Sequence, residues 1–258
     1  MSGAACAAVV QRDDPDRFAA TMAAAPALRR WLWPLYAFNL ELAKAAWASA
    51  EPMIAEMRLQ WWRDALGEVG AVGRVREHEV VGPLADLVRT HGLPLALLEG
   101  MIDARRWDLG REGFGDTAGL AAHLDATAGH LMVLAAQALG AGPAAEPVVR
   151  RFAFGAGLAN WFLAVPVLVA RGRQPLADVT EAGIAALASQ GLTALAAARA
   201  HRALVNRQAA PALLTGWQAT ALLRQAVAEP GRVLAGTMGR SEFARRGGLA
   251  WRGMTGRW

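Results

Sequence analysis

Two acidic side chains spaced so that they could hold a metal ion lie in the segment "LEGMIDARRWDL". Glu99 and Asp103 are four residues apart, so one helical face would carry both carboxylates, with Arg106 beside them and Asp108 shortly after. Carboxylate oxygens are the ligands that Mg²⁺ prefers in proteins. The arginine on the same face favours a solvated or ion-paired surface over a magnesium site.

Arginine side chains suggest a second chemistry, the binding of phosphate groups. The chain has 27 basic and 22 acidic residues and a net charge of +5. This balance permits contact with anionic lipid, diphosphates or nucleic acid and selects none of them. The many arginines are explained equally well by a proteome that is rich in alanine and glycine and uses arginine in place of lysine. The arginines that could bind a phosphate or a lipid headgroup are Arg58, Arg63, Arg105, Arg171 and Arg173.

Motifs for other chemistries are absent from the sequence. It contains no HExxH, no GxSxG and no glycine-rich phosphate loop between a strand and a helix. The single cysteine, Cys6, provides neither a disulfide nor a cysteine metal cluster and favours a reducing compartment. The five histidines are scattered, so each is interpreted as a surface or packed residue. Except for a weak pattern at the C-terminus, basic residues form no stripe interleaved with aromatics, which argues against nucleic-acid binding.

Helical periodicity dominates the elements that must position these residues. Asp14 followed by a proline predicts a helix start, as does Glu51 followed by a proline, and Gly92 predicts a helix end. In the helix after Glu51, Met53 and Met57 lie at spacing four on one face, and Trp61 continues that face. Strand signals are almost absent, so we expect an all-α protein.

The domain organisation follows from the same pattern. The first residues, "MSGAACAAVVQRDDPDRF", lack a basic n-region and make a poor signal peptide, so we expect a cytoplasmic protein. Peripheral contact with the inner membrane is compatible with this expectation. The final segment alternates arginines with aromatics, and its glycines favour a loose tail. We expect a flexible N-terminus over residues 1–13, one helical domain over 14–238 and a basic C-terminal tail over 239–258.

A charge-free run over residues 152–170 poses a separate question. It is 19 residues long and is flanked by Arg150, Arg151, Arg171 and Arg173, which meets the formal criterion for a transmembrane helix. A helix that is hydrophobic on all sides can equally be the central helix of a bundle. Its internal glycines, asparagine and proline, and the lack of a second such segment, favour the buried helix.

Several blocks of the sequence resemble the squalene/phytoene synthase family. In that family a "YAF" helix precedes a helix of the form "xRLxWWRxxL", as in "WPLYAFNLELA" and "EPMIAEMRLQWWRDAL" here. The segments "IDARRWDL", "LDATAGHLMVLAAQALGA" and "ARGRQPL" resemble the next blocks in order. The likeness covers residues 14–180, and residues 181–258 match only in helical character.

The resemblance implies a single-domain, isoprenoid-synthase-like helical bundle around a central cavity. Active members condense two prenyl diphosphates head to head. Two DxxxD helices face each other across the cavity and hold the Mg²⁺ ions that bind the diphosphates, since residues i and i+4 share one helical face. The ions then neutralise the departing diphosphate.

Neither acidic motif is present at the corresponding positions of this chain. In "YAFNLELAKAAW" the first pair falls on Ala43 and Trp47, with Lys44 where a neighbouring acid is often found. In "WFLAVPVLVARGR" the second pair falls on Ala164 and Leu168. We therefore expect no catalytic residues and no metal site, and Mg²⁺ would be a cofactor only if the protein were an active enzyme.

Three functions remain open from the sequence. The first is a non-catalytic assembly or binding factor, because the family has a branch linked to respiratory complex I assembly that keeps "AFNxELA" and "RxQxW" blocks while losing the aspartates. The second is an active prenyltransferase of the squalene/phytoene type. The third is an isoprenoid- or lipid-binding protein that uses the emptied cavity. The candidate cavity or ligand-binding residues are Tyr36, Asn39, Arg58, Trp61, Asp108, Asn160, Arg171 and Arg173.

Overall fold

The computed structural model describes residues 3–47, 51–71, 73–110 and 112–258, without the side chains of residues 46 and 47, and they contain helices and no strand. The first helices are α1 (Gly3–Asp13), α2 (Pro15–Thr21), α3 (Pro26–Trp47), α4 (Pro52–Gly70), α5 (Val81–His91), α6 (Leu95–Ala104) and α7 (Thr117–Leu124). The later ones are α8 (His130–Ala138), α9 (Glu146–Ala170), α10 (Glu181–Ala200), α11 (Ala210–Leu214), α12 (Ala219–Ala228), α13 (Gly231–Ala235) and α14 (Glu242–Thr255).

Helix ends lie where the sequence predicts them. The carboxylate of Asp14 accepts a hydrogen bond from the backbone N–H of Arg17 at 3.0 Å, which satisfies one free donor of the first turn of α2. Helix α4 begins directly after Glu51. Gly92 ends α5 in the left-handed conformation, with φ of 60°, which costs glycine little.

The long helix α9 is the centre of the bundle. It packs against α7, α8, α10, α12 and α13. Gly155 allows a close approach of α10, because a Cβ there would lie 2.6 Å from the Leu195 side chain and 2.8 Å from the Gly191 carbonyl oxygen. By length and composition, the segment Pro143–Ala170 could also cross a membrane, and 56% of its most apolar window is buried. This burial agrees with the interpretation of residues 152–170 as a central helix.

The N-terminal segment differs from the flexible segment expected over residues 1–13. Residues 3–13 form α1, which packs against α2 and α3. Cys6, Val9 and Val10 are buried in the main core, and this burial offsets the entropy lost on ordering the segment. The alanines and valines of α1 supply the apolar face that packs against the bundle.

The C-terminal segment differs from the expected loose tail in the same way. Residues 242–255 form α14, whose N-cap Ser241 accepts a hydrogen bond from the Ala244 N–H. After α14 the chain returns to the core, where Trp258 is buried and meets Phe152 edge-to-face at 4.9 Å. The main-chain oxygen of Trp258 accepts a hydrogen bond from the Arg199 guanidinium at 2.9 Å. These contacts fix a helix that its three glycines alone would leave unstable.

Candidate functional site

The first acid-pair position carries a cation that already has carboxylate partners. Ala43 is half-buried on α3, and the side chain of Trp47 lies outside the described residues. The ammonium group of Lys44 lies 2.9 Å from a carboxylate oxygen of Asp13 and 2.7 Å from one of Glu41. Partial burial lowers the pKa of Lys44, but the hydrogen bonds to these two carboxylates outweigh that effect and raise it. The lysine is therefore a stably charged group directly beside the position where the family's motif would place a magnesium ligand.

Beside this lysine the surface forms a pocket of ≈ 280 Å³ between α3 and α4. Two of the predicted residues, Arg58 and Trp61, line it together with Trp62 and His78. The His78 ring lies 5.2 Å from the ring of Trp61 and 5.2 Å from that of Trp62, so aromatic rings form one wall. A pocket with an aromatic wall and basic residues suits an apolar group that carries a negative charge.

The second acid-pair position is apolar and packed. On α9, Ala164 is half-buried and Leu168 is buried. After the helix ends, Gly172 turns the chain with φ of 74°, and the N–H of Arg173 donates to the Leu168 carbonyl oxygen at 3.0 Å. A carboxylate at residue 168 would have to enter this packed environment, where an unpaired charge is costly.

Arg173 is held inside the protein rather than aimed at a ligand. Its guanidinium donates to the Trp107 carbonyl oxygen, and it lies 4.8 Å from the centre of the Trp107 ring. Burial lowers the pKa of Arg173, although the nearby Asp108 carboxylate acts in the opposite direction. The other arginine of the pair, Arg171, is exposed.

A buried polar network joins three of the resembling sequence blocks. One nitrogen of Arg105 donates to the Asn39 side-chain oxygen at 3.3 Å, and another lies 3.4 Å from a carboxylate oxygen of Asp108. Burial raises the pKa of Asp108, and the charges of Arg105, Arg173 and Arg171 only partly counteract this. Asp108 therefore compensates only part of the charge of these three arginines.

An aromatic cluster closes the space next to this network. The ring of Trp107 stacks on that of Phe114 at 4.7 Å, and the rings of His123 and Trp161 lie within 5.6 Å of Trp107. Burial, and secondarily the charge of Arg105, lowers the pKa of His123 to about 4. The imidazole is therefore neutral at physiological pH and behaves as part of the packed cluster.

The interior pocket between α3, α8, α9 and α11 is much smaller than the cavity that the resemblance implies. Its volume is ≈ 30 Å³, whereas small-molecule sites occupy roughly 300 Å³ or more. Tyr36 and Asn160 both line it, together with Arg17. The guanidinium of Arg17 lies 5.2 Å from the centre of the buried Tyr36 ring, and burial raises the pKa of the Tyr36 hydroxyl.

The described residues do not fit a magnesium site. They include no group of three or more histidine, cysteine, aspartate or glutamate side chains that could hold a metal ion. In the alternative acidic segment, Asp103 forms ion pairs with Arg63 and Arg106, and Arg106 also pairs with Glu56 at 2.8 Å. The interpretation of this segment as an ion-paired surface is confirmed for Asp103.

The sequence and the fold of this chain are similar to those of known proteins. The family model of squalene/phytoene synthase matches residues 10–241. This chain belongs to the squalene/phytoene synthase family. The squalene synthase HpnC from Alicyclobacillus acidocaldarius is similar in structure, with a TM-score of 0.74 and 16% identity over 87% of this chain and 92% of that one. A dehydrosqualene synthase solved in complex with a ligand has a TM-score of 0.80 and 14% identity over 96% of this chain and 94% of that one.

The family match and the two structures confirm the predicted all-α, isoprenoid-synthase-like fold. At these identities the structural matches establish the fold alone. No curated protein matches the sequence.

The structure places the eight predicted site residues in separate environments. Tyr36 and Asn160 line the small interior pocket, and Arg58 and Trp61 line the surface pocket beside Lys44. The network includes Asn39 and Asp108, while Arg173 lies against Trp107 and Arg171 acts on Asp108 through its charge.

Sequence analysis assigned no site role to Arg17 or His123. The helix-start pattern at Asp14 places Arg17 in the first turn of α2, but it does not predict the contact with Tyr36. No local signal distinguishes the buried His123 from the other histidines.

Proposed function

We propose that this protein is a non-catalytic member of the squalene/phytoene synthase family that works as a binding or assembly factor. The proposal is supported by the loss of the acids together with the small interior pocket. Ala43, Ala164 and Leu168, like Trp47 in the sequence, leave no carboxylate at the motif positions, and the interior pocket is only ≈ 30 Å³. A bundle that lacks the acids at these positions, and whose pocket at Tyr36 and Asn160 is this small, does not favour the family's reaction.

Substrate charge supports the same proposal. Two diphosphates bring several negative charges into one site, and their departure in the family's reaction depends on bound cations. Here Arg105 is held by Asn39 and Asp108, and the described residues include no group of carboxylates that could hold such cations. The lipid-carrier alternative requires an open apolar interior, so a pocket of ≈ 30 Å³ does not favour it.

An exposed apolar row on α4 supports a partner-binding role. Met53 is 73% exposed and Met57 is 65% exposed, and Trp61 continues the row at the same spacing of four. Methionine-rich exposed surfaces adapt to partner proteins, and an apolar row of this kind is otherwise unfavourable in water. The row leads to the surface pocket beside Lys44, so an apolar patch and basic groups lie together.

We propose that the partner is a subunit or assembly factor of respiratory complex I. This rests on the "AFNxELA" and "RxQxW" blocks, which resemble the branch of the family linked to complex I assembly. In the structure these blocks form the facing parts of α3 and α4, where Glu41, Lys44, Arg58 and Trp61 line the surface pocket. The block residues Glu41, Arg58 and Trp61 are thus accessible to a partner at this pocket.

Gene deletion followed by complementation tests the proposal. The deletion strain is expected to lose NADH:quinone oxidoreductase activity and assembled complex, and the wild-type gene is expected to restore both. A Met53→Ser/Met57→Ser gene is expected to restore much less, while a control with the exposed residues Val179→Ser/Leu204→Ser restores fully. A wild-type level of assembled complex in the deletion strain would contradict the complex I assignment.

A further inference from the structure

The C-terminal helix α14 presents an exposed apolar face. Phe243 is 89% exposed, Trp251 is 59% exposed and Met254 is 78% exposed. Trp251 and Met254 lie eight and eleven positions after Phe243, so the three side chains lie along one side of the α-helix. The exposed Gly247 and Ala250 lie between them. Three large apolar side chains in one row on a water-facing helix are not explained by packing within this chain.

The helix that carries this face is firmly attached to the bundle. The Arg245 side chain on α14 forms an ion pair with Asp16 of α2. Leu249 packs against a small core that includes Leu214 and Trp217. The apolar row is therefore held in a fixed position relative to α2 and α11, and its exposure does not come from a free tail.

A cleft rich in arginine lies directly beside the apolar row. We call it the arginine cleft; it combines two adjoining pockets of ≈ 340 Å³ and ≈ 350 Å³ between α10, α12 and α14. Trp251 of the apolar row lines the second pocket, so the two features share one edge. The arginines of the cleft are Arg199, Arg202, Arg224, Arg240, Arg252 and Arg257.

The positive charge of the cleft is not compensated within the described part of the chain. None of its six arginines forms a salt bridge there, whereas Arg245 and Arg246 of the same helix both pair with Glu242. One guanidinium nitrogen of Arg199 is buried without a hydrogen-bond partner. Burial and the charges of Arg252 and Arg224 lower the pKa of Arg199. These positive charges repel one another, and a bound anion would relieve that repulsion.

We propose that the arginine cleft and the exposed face of α14 together bind the surface of a bilayer that contains anionic phospholipids. Headgroup phosphates accept charge-assisted hydrogen bonds from the arginines of the cleft. Phe243, Trp251 and Met254 enter the boundary between headgroups and acyl chains, where amphipathic helices place such side chains. A soluble phosphate would use the cleft alone, and the adjoining apolar row is what selects the lipid surface.

Vesicle flotation of the full chain tests this proposal. Vesicles of phosphatidylcholine alone are compared with vesicles that also contain phosphatidylglycerol, at low and at high salt. The wild-type protein is expected to float with the anionic vesicles, to stay in solution with the neutral ones, and to dissociate at high salt. Absence of binding to the anionic vesicles at low salt would overturn the proposal.

Two variants separate the two parts of the surface. Phe243→Ser/Trp251→Ser/Met254→Ser changes only exposed side chains and is expected to reduce binding to the anionic vesicles at least tenfold at low salt. Arg202→Gln/Arg224→Gln/Arg257→Gln changes exposed cleft arginines and is expected to weaken binding by roughly fivefold for each arginine replaced. Wild-type binding by both variants would refute the proposal that the arginine cleft and the exposed face of α14 bind the bilayer.

A charge-matched control and two soluble probes complete the test. The control, Arg30→Gln/Arg74→Gln/Arg151→Gln, removes the same charge from exposed arginines elsewhere and is expected to bind vesicles within about twofold of wild type. Saturable binding of inorganic pyrophosphate without vesicle binding would show a site for soluble phosphate and overturn the proposal. Equally tight binding of polyglutamate, unchanged in the apolar variant, would show a site for an acidic protein and also overturn it.

Discussion

Because the imidazole of His123 is buried in its neutral form, we expect the folded protein to lose stability as the pH becomes acidic. The imidazole is 8% exposed within the cluster of Trp107, Phe114 and Trp161, and its pKa is lowered to about 4 by burial and by the charge of Arg105. In the unfolded chain the pKa returns to its ordinary value near 6.5. A group whose folded pKa is lowered in this way contributes stability above pH 6.5 and loses it as the pH falls towards 4.

The size of the effect follows from proton linkage. Between pH 7 and pH 5, preferential protonation of the unfolded chain at this one group removes about 2 kcal/mol from the free energy of unfolding. The loss approaches about 3 kcal/mol well below the folded pKa. Because His123 is almost fully buried, solvent screening does not reduce this figure appreciably.

Urea unfolding followed by far-UV circular dichroism at pH 7 and pH 5 measures this effect. His123→Gln is expected to lower stability at pH 7 through imperfect packing, but to make the fall between the two pH values about 2 kcal/mol smaller than in wild type. His201→Gln, which replaces an exposed histidine, is the control and should retain the wild-type fall within about 0.5 kcal/mol. An equal pH dependence in wild type and His123→Gln would refute the buried, neutral imidazole.

Two further predictions concern packing and capping. Gly155→Ala forces a Cβ to within 2.6 Å of the Leu195 side chain and is expected to cost about 1 to 3 kcal/mol in urea unfolding, whereas Gly82→Ala, with open space around its Cβ, is expected to be neutral or slightly stabilising. Asp116→Ala removes the 2.7 Å cap to the Gly119 N–H and is expected to lower stability by about 1 kcal/mol, while Asp116→Asn keeps the cap. An unchanged midpoint in Gly155→Ala or Asp116→Ala would contradict the respective contact.

The helix ends of the bundle could be predicted from the sequence where they depend on neighbouring residues. Asp14, Asp116 and Gly92 act at helix ends through nearest-neighbour hydrogen bonds or backbone conformation, and both leave a signal in the sequence. The family blocks fixed the overall architecture, because they occur in order and at helical spacing. Periodicity also placed Met53 and Met57 on one face of α4, but it cannot tell which face meets water.

Contacts between distant parts of the chain could not be predicted in this way. Nothing local shows that α1 packs against α3, or that Asp13 of α1 pairs with Lys44. The six arginines of the cleft come from α10, α12, α14 and the segments beside them, so their proximity is a product of the tertiary fold. The small volume of the interior pocket likewise depends on how side chains of several helices interlock.

Pyrophosphate release tests the central claim most directly. The purified full chain is incubated with Mg²⁺ and either farnesyl or geranylgeranyl diphosphate, next to an active synthase of the family as positive control. Loss of the acid pairs at Ala43, Trp47, Ala164 and Leu168, together with a pocket of ≈ 30 Å³, predicts no release above that of a protein-free sample. Release that requires Mg²⁺ and stops on chelation would contradict the proposal of a non-catalytic protein.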